Sequence, residues 1–166
     1  MNAVPKLIAA LEQEGIEVWV EGGASNDQVM ALERALGVSM PPSYVSFLTS
    51  YGAIGIGDSF VSGIIDGDAL SQAGSSTFGD TLQFRAHSAF PPGLLVIGKH
   101  EDGAYCLDTN RQSGDGEYAV VNFEFGSIQH RTPVSPSFAD WLIRFQLRGS
   151  NDGSSPNTSL EHRRGR

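Results

Sequence analysis

The 166-residue chain lacks several features that would assign it to a specialised class of protein. It has a single cysteine, Cys106, so it can form no internal disulfide and no cysteine pair can hold a metal. The longest apolar runs are short, such as residues 94–98, and none could span a bilayer. Residues 1–14 lack the basic start and long apolar block of a signal peptide. We therefore expect a cytoplasmic protein in which Cys106 is a small buried side chain.

The chain also lacks the motifs of common enzyme classes. It contains no glycine-rich phosphate loop with its lysine and no G-x-S-x-G nucleophile elbow. The histidines are scattered without the spacing of metal ligands, at His87, His100, His130 and His162. We expect no catalytic residues, no metal, no cofactor and no small-molecule substrate.

Three groups of residues leave a chemical role open. Residues 100–102, His-Glu-Asp, could bind a divalent ion from a turn, although a solvated loop explains them better. Cys106 with a distant histidine is a formal nucleophile pair. Asp58, Asp66 and Asp68 could form a general acid–base set or an oxygen-ligand site, but their spacing fits helix caps and turns at least as well. An enzyme, for example a hydrolase that uses two of these aspartates, therefore remains an alternative, ranked below two non-enzymatic hypotheses.

Basic side chains are scarce as well. The formal charge is −8, and residues 1–148 carry 17 acidic and 8 basic side chains, a net charge of −9. A domain with this charge should repel nucleic acid and membrane surfaces and attract basic proteins. The simpler interpretation of the charge is solubility, and charge alone does not decide between the two.

Helical patterns dominate the first third of the chain. Residues 2–15 and 26–36 each carry an apolar stripe with a cap at the start and a glycine at the end. Pro41-Pro42 then begins a helix whose apolar face repeats at i, i+3, i+4 and i+7, and Gly52 ends it. Residues 16–20 have an alternating, β-rich pattern, which predicts a short strand or an extended arm. Trp19 in this strand is expected in the core, because large aromatics are usually buried, with a binding face as the alternative.

Extended patterns dominate the rest of the chain. Residues 54–58 and 60–64 predict two short strands or one bent strand. A helix is predicted over 66–73, and a short helix or irregular segment over 75–88. Four sequential strands follow, joined by short turns, so we expect an antiparallel meander with the first of them central; they are predicted at 94–99, 104–108, 117–123 and 127–131. A final helix opens at Ser137, with four residues in its buried stripe: Phe138, Trp141, Leu142 and Phe145.

These elements predict an α+β fold in which N-terminal helices and a C-terminal helix pack around a mainly antiparallel sheet of about 4–6 strands. Residues 1–148 are expected to form a single domain. Residues 149–166 are expected to be a disordered polar and basic tail, because they hold too little apolar surface to offset chain entropy.

The helix pair around Pro41-Pro42 carries a recognisable string, E-x-x-L-G-x-x-x-P-P-x-Y-x-x-F-L-x-x-Y-G. Its residues are Glu33, Leu36, Gly37, Pro41, Pro42, Tyr44, Phe47, Leu48, Tyr51 and Gly52. This string resembles the SUKH superfamily, whose yeast members are called cell-wall-assembly regulators and whose bacterial members are mostly immunity proteins of polymorphic toxin systems. Four later pieces come in the order that SUKH chains show: residues 92–98, 103–109, 117–121 and 138–142.

The resemblance implies a non-catalytic protein-binding domain, in the first place an intracellular immunity protein that binds and neutralises a cognate toxin, often a nuclease. The alternative that it implies is a regulatory adaptor of the cell-wall-assembly-regulator type. In either case the partner would be a basic protein, with no nucleic acid, membrane or small molecule bound.

A binding surface can be proposed from residue type and position. Acids at strand ends and turns face solvent and can point the same way from one sheet edge. Exposed aromatics supply most hot spots of protein interfaces. The candidate partner-binding residues are therefore Trp19, Glu21, Tyr51, Asp58, Phe60, Asp66, Asp102, Asp108, Glu117 and Glu124.

Overall fold

The computed structural model describes residues 2–128 and 131–147, which form an α+β fold of helices packed on two antiparallel sheets. The predicted fold class is confirmed, although the strands divide between two sheets. The helices of this described part are α1 (Val4–Gln13), α2 (Asn26–Leu36), α3 (Pro42–Ser50), α4 (Thr77–Arg85) and α5 (Phe138–Trp141), which continues as a π-helical segment over Leu142–Leu147. The strands are β1 (Val18–Val20), β2 (Ile54–Ile56), β3 (Ser59–Val61), β4 (Leu94–His100), β5 (Gly103–Gln112), β6 (Tyr118–Glu124) and β7 (Thr132–Ser135).

The ends of α2 and α3 follow from local sequence. The Ser25 side chain accepts a hydrogen bond from the backbone N–H of Gln28, and Gly37 ends α2 with a φ of 70°, a conformation that glycine adopts without steric cost. Pro42 occupies the first turn of α3, where its missing N–H costs nothing. Helices whose start and stop are fixed by such residues are predictable from sequence.

Strands β1, β2 and β3 form a three-stranded antiparallel sheet in that order, and β4 to β7 form a four-stranded meander. The two sheets meet where the backbone N–H of Ser62 donates to the carbonyl of Ile97 at 2.8 Å. Strand β4 comes first in the four-stranded order and is therefore at the edge of its own sheet, which corrects the prediction that it is central. Its apolar run remains buried because β3 and α4 pack against it.

The four-stranded sheet is buried on both faces, as alternate residues of β4 show. Leu95 and Ile97 join the main core, which contains the rings of α3 and α5, whereas Leu94 and Val96 join a second core. That second core lies under α4 and consists of Phe84, Phe90, Leu94, Val96, Ala104, Cys106, Val121 and Phe123. Side chains of one strand point alternately to opposite faces, so an unbroken apolar run satisfies both cores.

Three predicted elements are wrong in detail. Residues 66–73 form no helix: Asp66 adopts a left-handed φ of 57° and an isolated bridge pairs Ile65 with Asp68. The fourth meander strand is Thr132–Ser135, whereas it was predicted at 127–131, of which the described residues 127, 128 and 131 are not in a strand. Phe145 is 41% exposed because the π-helical turn adds a residue per turn and brings Leu147 into the core instead.

No helix of the described part is long and apolar enough to cross a bilayer. The predicted tail, 149–166, lies outside the described residues.

Candidate protein-binding surface

A row of three residues crosses the outer face of the three-stranded sheet. The strand register pairs Trp19 with Gly55 and Gly55 with Phe60, so these residues share one face. The Phe60 ring leans over the glycine, since a Cβ added to Gly55 would lie 2.9 Å from Phe60 Cε1. Trp19 remains 43% exposed and Phe60 44% exposed. The core position expected for Trp19 is therefore wrong, because none of the described helices covers this face of the sheet.

The two rings line a groove of about 490 Å³ that we call the aromatic groove. It is lined by Trp19, Glu21, Phe60, Ile65, Asp66, Gly74 and Ser75. The Glu21 side chain crosses one wall, where its Oε1 accepts a hydrogen bond from the backbone N–H of Asp66 at 2.6 Å. This bond holds Asp66 in its left-handed conformation, which aspartate tolerates better than most residues, and leaves the Asp66 carboxylate exposed.

Negative charge is concentrated in the half of the chain that builds this groove. Residues 7–84 contain ten acidic side chains and one basic side chain, Arg34, whereas residues 85–147 contain seven acidic and five basic side chains. Every ion pair within the described residues takes its cation from the second range. Five acids on or beside the three-stranded sheet have no ion pair with any described residue: Glu17, Glu21, Asp58, Asp66 and Asp68. Their field is therefore not cancelled locally and would attract a basic partner.

Four of the ten candidate residues thus line one groove: Trp19, Glu21, Phe60 and Asp66. Asp58 is exposed in the turn between β2 and β3, at the end of the same sheet. Tyr51 is half-buried and its ring packs against Phe47 of the core, 6.1 Å between centroids. Its carbonyl accepts from the backbone N–H of Gly22 at 2.9 Å, which ties the end of α3 to the segment that follows β1.

Two candidate acids lie on the four-stranded sheet and do not line the groove. Asp102 is exposed in the turn between β4 and β5. Glu124 is half-buried and accepts from Asn122 Nδ2 at 2.8 Å. Burial, with the Glu124 charge as a second cause, raises the pKa of the neighbouring Tyr105 phenol.

The expectation that all the candidate acids face solvent is wrong for two of them. Asp108 is fully buried, and its carboxylate lies 3.4 Å from Arg111 Nε and 3.6 Å from Arg131 Nη1. Glu117 is 8% exposed and accepts from the backbone N–H of Ser43 at 3.1 Å and from the Ser43 hydroxyl. A carboxylate in that position satisfies the first turn of α3 and its positive dipole end. Both acids serve the fold, and we leave them out of the proposed surface.

One buried charged residue was missed in the sequence. Asp80 is 2% exposed; Ser62 Oγ donates to its Oδ2 at 2.8 Å and Lys99 Nζ lies 3.1 Å from its Oδ1. The Tyr44 hydroxyl donates to the Ser62 carbonyl at 2.8 Å, and burial raises the pKa of Tyr44. These contacts join α3, α4 and both sheets. In the sequence, Asp80 has the position of an ordinary first-turn acid of a helix, and nothing local marks it as buried.

The chemical alternatives receive no geometric support from the described residues. Cys106 is buried, and burial raises the pKa of its thiol, which disfavours the nucleophilic thiolate. His100 Nε2 is 2.7 Å from Asn122 Oδ1. Within residues 2–128 and 131–147, no three His, Cys, Asp or Glu side chains are placed to hold a metal ion, so Asp58, Asp66 and Asp68 form no such group.

Comparison with known proteins decides the family. The model of the SUKH_5 family, described as SMI1-KNR4 cell-wall, matches residues 4–145. The chain belongs to this family. A relative from Bacillus subtilis (strain 168), the uncharacterized protein YnaB, is 25% identical over 119 residues, which cover 72% of this chain and 74% of that protein. The SUKH match spans α1 to α5, both sheets and therefore the whole aromatic groove.

Proposed function

We propose that this SUKH protein is a non-catalytic, cytoplasmic immunity protein that binds and neutralises a basic toxin domain, often a nuclease. The observation that carries the proposal is the outer face of the three-stranded sheet. It combines two half-exposed aromatic side chains with five acids that have no ion pair among the described residues. Aromatics and uncompensated charge together are typical of a surface that recognises an oppositely charged protein.

A nuclease is a suitable partner for such a surface. Nuclease clefts carry lysine and arginine to hold phosphates, and an acidic protein surface offers them the same sign of charge. The field of residues 7–84, with ten acids and one base, would speed the encounter, and the aromatic side chains would slow dissociation. Inhibition then needs only occupancy of the cleft and no bond made or broken.

The test uses the toxin domain encoded beside the gene of this protein. We expect a stable complex at or below micromolar concentration by isothermal titration calorimetry, with an association rate that falls as salt is raised. We also expect cells that express the toxin to survive when this protein is co-expressed. Absence of a complex at micromolar concentration, together with absence of protection, would refute the proposal.

The family description favours a second candidate, a regulatory adaptor of the cell-wall-assembly-regulator type. The same surface would then recruit a housekeeping enzyme or a scaffold protein. Affinity capture with the full chain separates the two functions, because an adaptor should return such proteins in the absence of any toxin gene.

A further inference from the structure

We propose that the aromatic groove is the anchor point of the partner, and that its occupant is an arginine side chain on an extended segment lying along β1. This inference rests on the proposed function and specifies the chemistry of the contact.

The groove offers an arginine both an aromatic face and carboxylates. Trp19 presents a half-exposed ring. Glu21 directly follows β1, two residues after Trp19, and the alternation of side chains places it on the same side. Glu21 uses Oε1 to hold the Asp66 backbone, and its Oε2 has no hydrogen-bond partner among the described residues. A guanidinium can stack on an indole while donating to a neighbouring carboxylate, which an ammonium does less well.

No cation of the groove's own segments competes for this position. Residues 35–84 contain no lysine, arginine or histidine. Among the described residues, no cation and no other aromatic ring packs against the ring of Trp19 or Phe60. The groove is thus lined by a tryptophan, a glutamate and an aspartate, and none of its lining residues is positively charged. Charge complementarity therefore selects a basic occupant over an acidic or neutral one.

The edge of β1 explains why the arginine should come from an extended segment. Glu21 N–H donates to the Ala53 carbonyl at 3.0 Å, and Gly57 N–H donates to the Glu17 carbonyl at 2.9 Å, so residues 17, 19 and 21 direct their backbone groups toward β2. In an antiparallel pair the alternate residues, Val18 and Val20, then direct theirs outward. Among the described strands, β1 has a neighbour on one side only. A segment paired with that edge would place every second side chain on the Trp19 face.

The direct test is a titration of the isotope-labelled full chain with the peptide acetyl-Thr-Arg-Thr-Arg-Thr-amide, followed by NMR. We expect saturable shifts of the Trp19 indole N–H and of the Val18 and Val20 amides. The same peptide with citrulline in place of arginine keeps the shape and removes the charge, and should bind at least about tenfold more weakly. Shifts that spread over all acidic turns, or that never saturate, would overturn the inference.

A charge-matched pair of variants locates the contact. Glu21→Gln with Asp66→Asn removes two charges from the groove, and asparagine tolerates the left-handed φ of residue 66. Glu101→Gln with Asp102→Asn removes two charges from the exposed turn between β4 and β5. We expect the first variant to weaken peptide binding about tenfold and the second to leave it nearly unchanged. Equal effects of the two variants would mean that net charge alone binds the peptide, and would overturn the inference.

The same variants separate this inference from the proposed function. The variant Glu21→Gln with Asp66→Asn could bind the toxin domain encoded beside this gene as tightly as the wild type. In that case the partner is not anchored in the aromatic groove, and the immunity role stands. If the wild type binds the peptide in the groove but captures no toxin, the immunity role fails and the groove remains a site for basic segments.

Discussion

Outside its exposed turns, the four-stranded sheet of this protein uses acidic residues differently from the three-stranded sheet. On the four-stranded sheet, Asp108 and Glu117 are buried and joined to arginine side chains or to the start of α3. Beside the three-stranded sheet, Glu17, Asp58 and Asp66 are exposed and have no ion pair with any described residue. The same residue types therefore maintain the fold in one region and remain available to a partner in the other.

The difference follows from how the two sheets are covered. Helices lie on both faces of the four-stranded sheet, so a carboxylate there must find an internal partner or leave a buried charge unsatisfied. No helix of residues 2–128 and 131–147 lies over the face of the three-stranded sheet that carries Trp19, and Glu17, Asp58 and Asp66 beside it are exposed. A solvated acid costs the fold little, so it is free to serve solubility or the binding of a partner.

The largest effect is expected at Asp80, where the two sheets meet. Replacement by alanine should lower the free energy of unfolding by about 3 kcal/mol, because it leaves the buried Ser62 hydroxyl without an acceptor and Lys99 without its ion pair. Urea denaturation measures the change. Asp80→Asn keeps an acceptor for Ser62 and should cost less than half as much. Equal costs for both replacements would show that the ion pair, and not the hydroxyl, carries the contribution.

A smaller effect is expected at Glu117. Glu117→Ala should cost about 1–2 kcal/mol, because it removes the acceptor for the backbone N–H of Ser43 at the start of α3. Glu101→Ala is the matched control, an exposed acid of the same sheet that should change stability by less than about 0.5 kcal/mol. Thermal unfolding of the two variants side by side checks the difference. Similar melting temperatures would mean that the carboxylate is not acting as a cap.

Much of the fold could be predicted from sequence, because its signals are local. Ser25, Gly37 and Pro42 fix the ends of α2 and α3 within a few residues. The meander follows from sequential strands with short turns between them. Two predictions failed for different reasons. Phe145 is placed by a π-helical turn, a local departure from the α-helical period that predicted it to be buried. Strand β4 is buried by segments remote in the sequence.

The candidate surface was only partly predictable for the same reason. Trp19, Glu21, Phe60 and Asp66 could be named from residue type, but their proximity depends on the pairing of β1 with β2 and β3. Ile65 and Ser75 were missed because they come from the irregular segment between β3 and α4. The uneven charge of residues 7–84 was visible in the sequence and is the signal that could have directed attention to this sheet.

A pH-dependent contribution is expected on the four-stranded sheet, from Tyr105. Its phenol has a pKa above the ordinary value of 10.0 because it is partly buried and lies near Glu124. A group whose pKa is raised in the folded state stabilises the protein below pH 10 and loses that contribution as the pH rises through its folded pKa. Unfolding measured from pH 9 to pH 11 should show a loss of stability that is smaller in Tyr105→Phe. Glu124→Gln should shift the tyrosinate absorbance titration toward lower pH.

The smallest effect on stability is expected at Asp66, and it is the most informative for the comparison of the two sheets. Asp66→Asn should change the free energy of unfolding by less than about 0.5 kcal/mol, because asparagine tolerates the left-handed φ of 57° and keeps the N–H that donates to Glu21. Chemical denaturation should therefore barely distinguish the variant from the wild type. A residue that costs the fold nothing when neutralised, and whose neutralisation weakens capture of a basic partner, is an acid kept for binding. A large loss of stability would instead place Asp66 with Asp108 and Glu117 among the acids that maintain the fold.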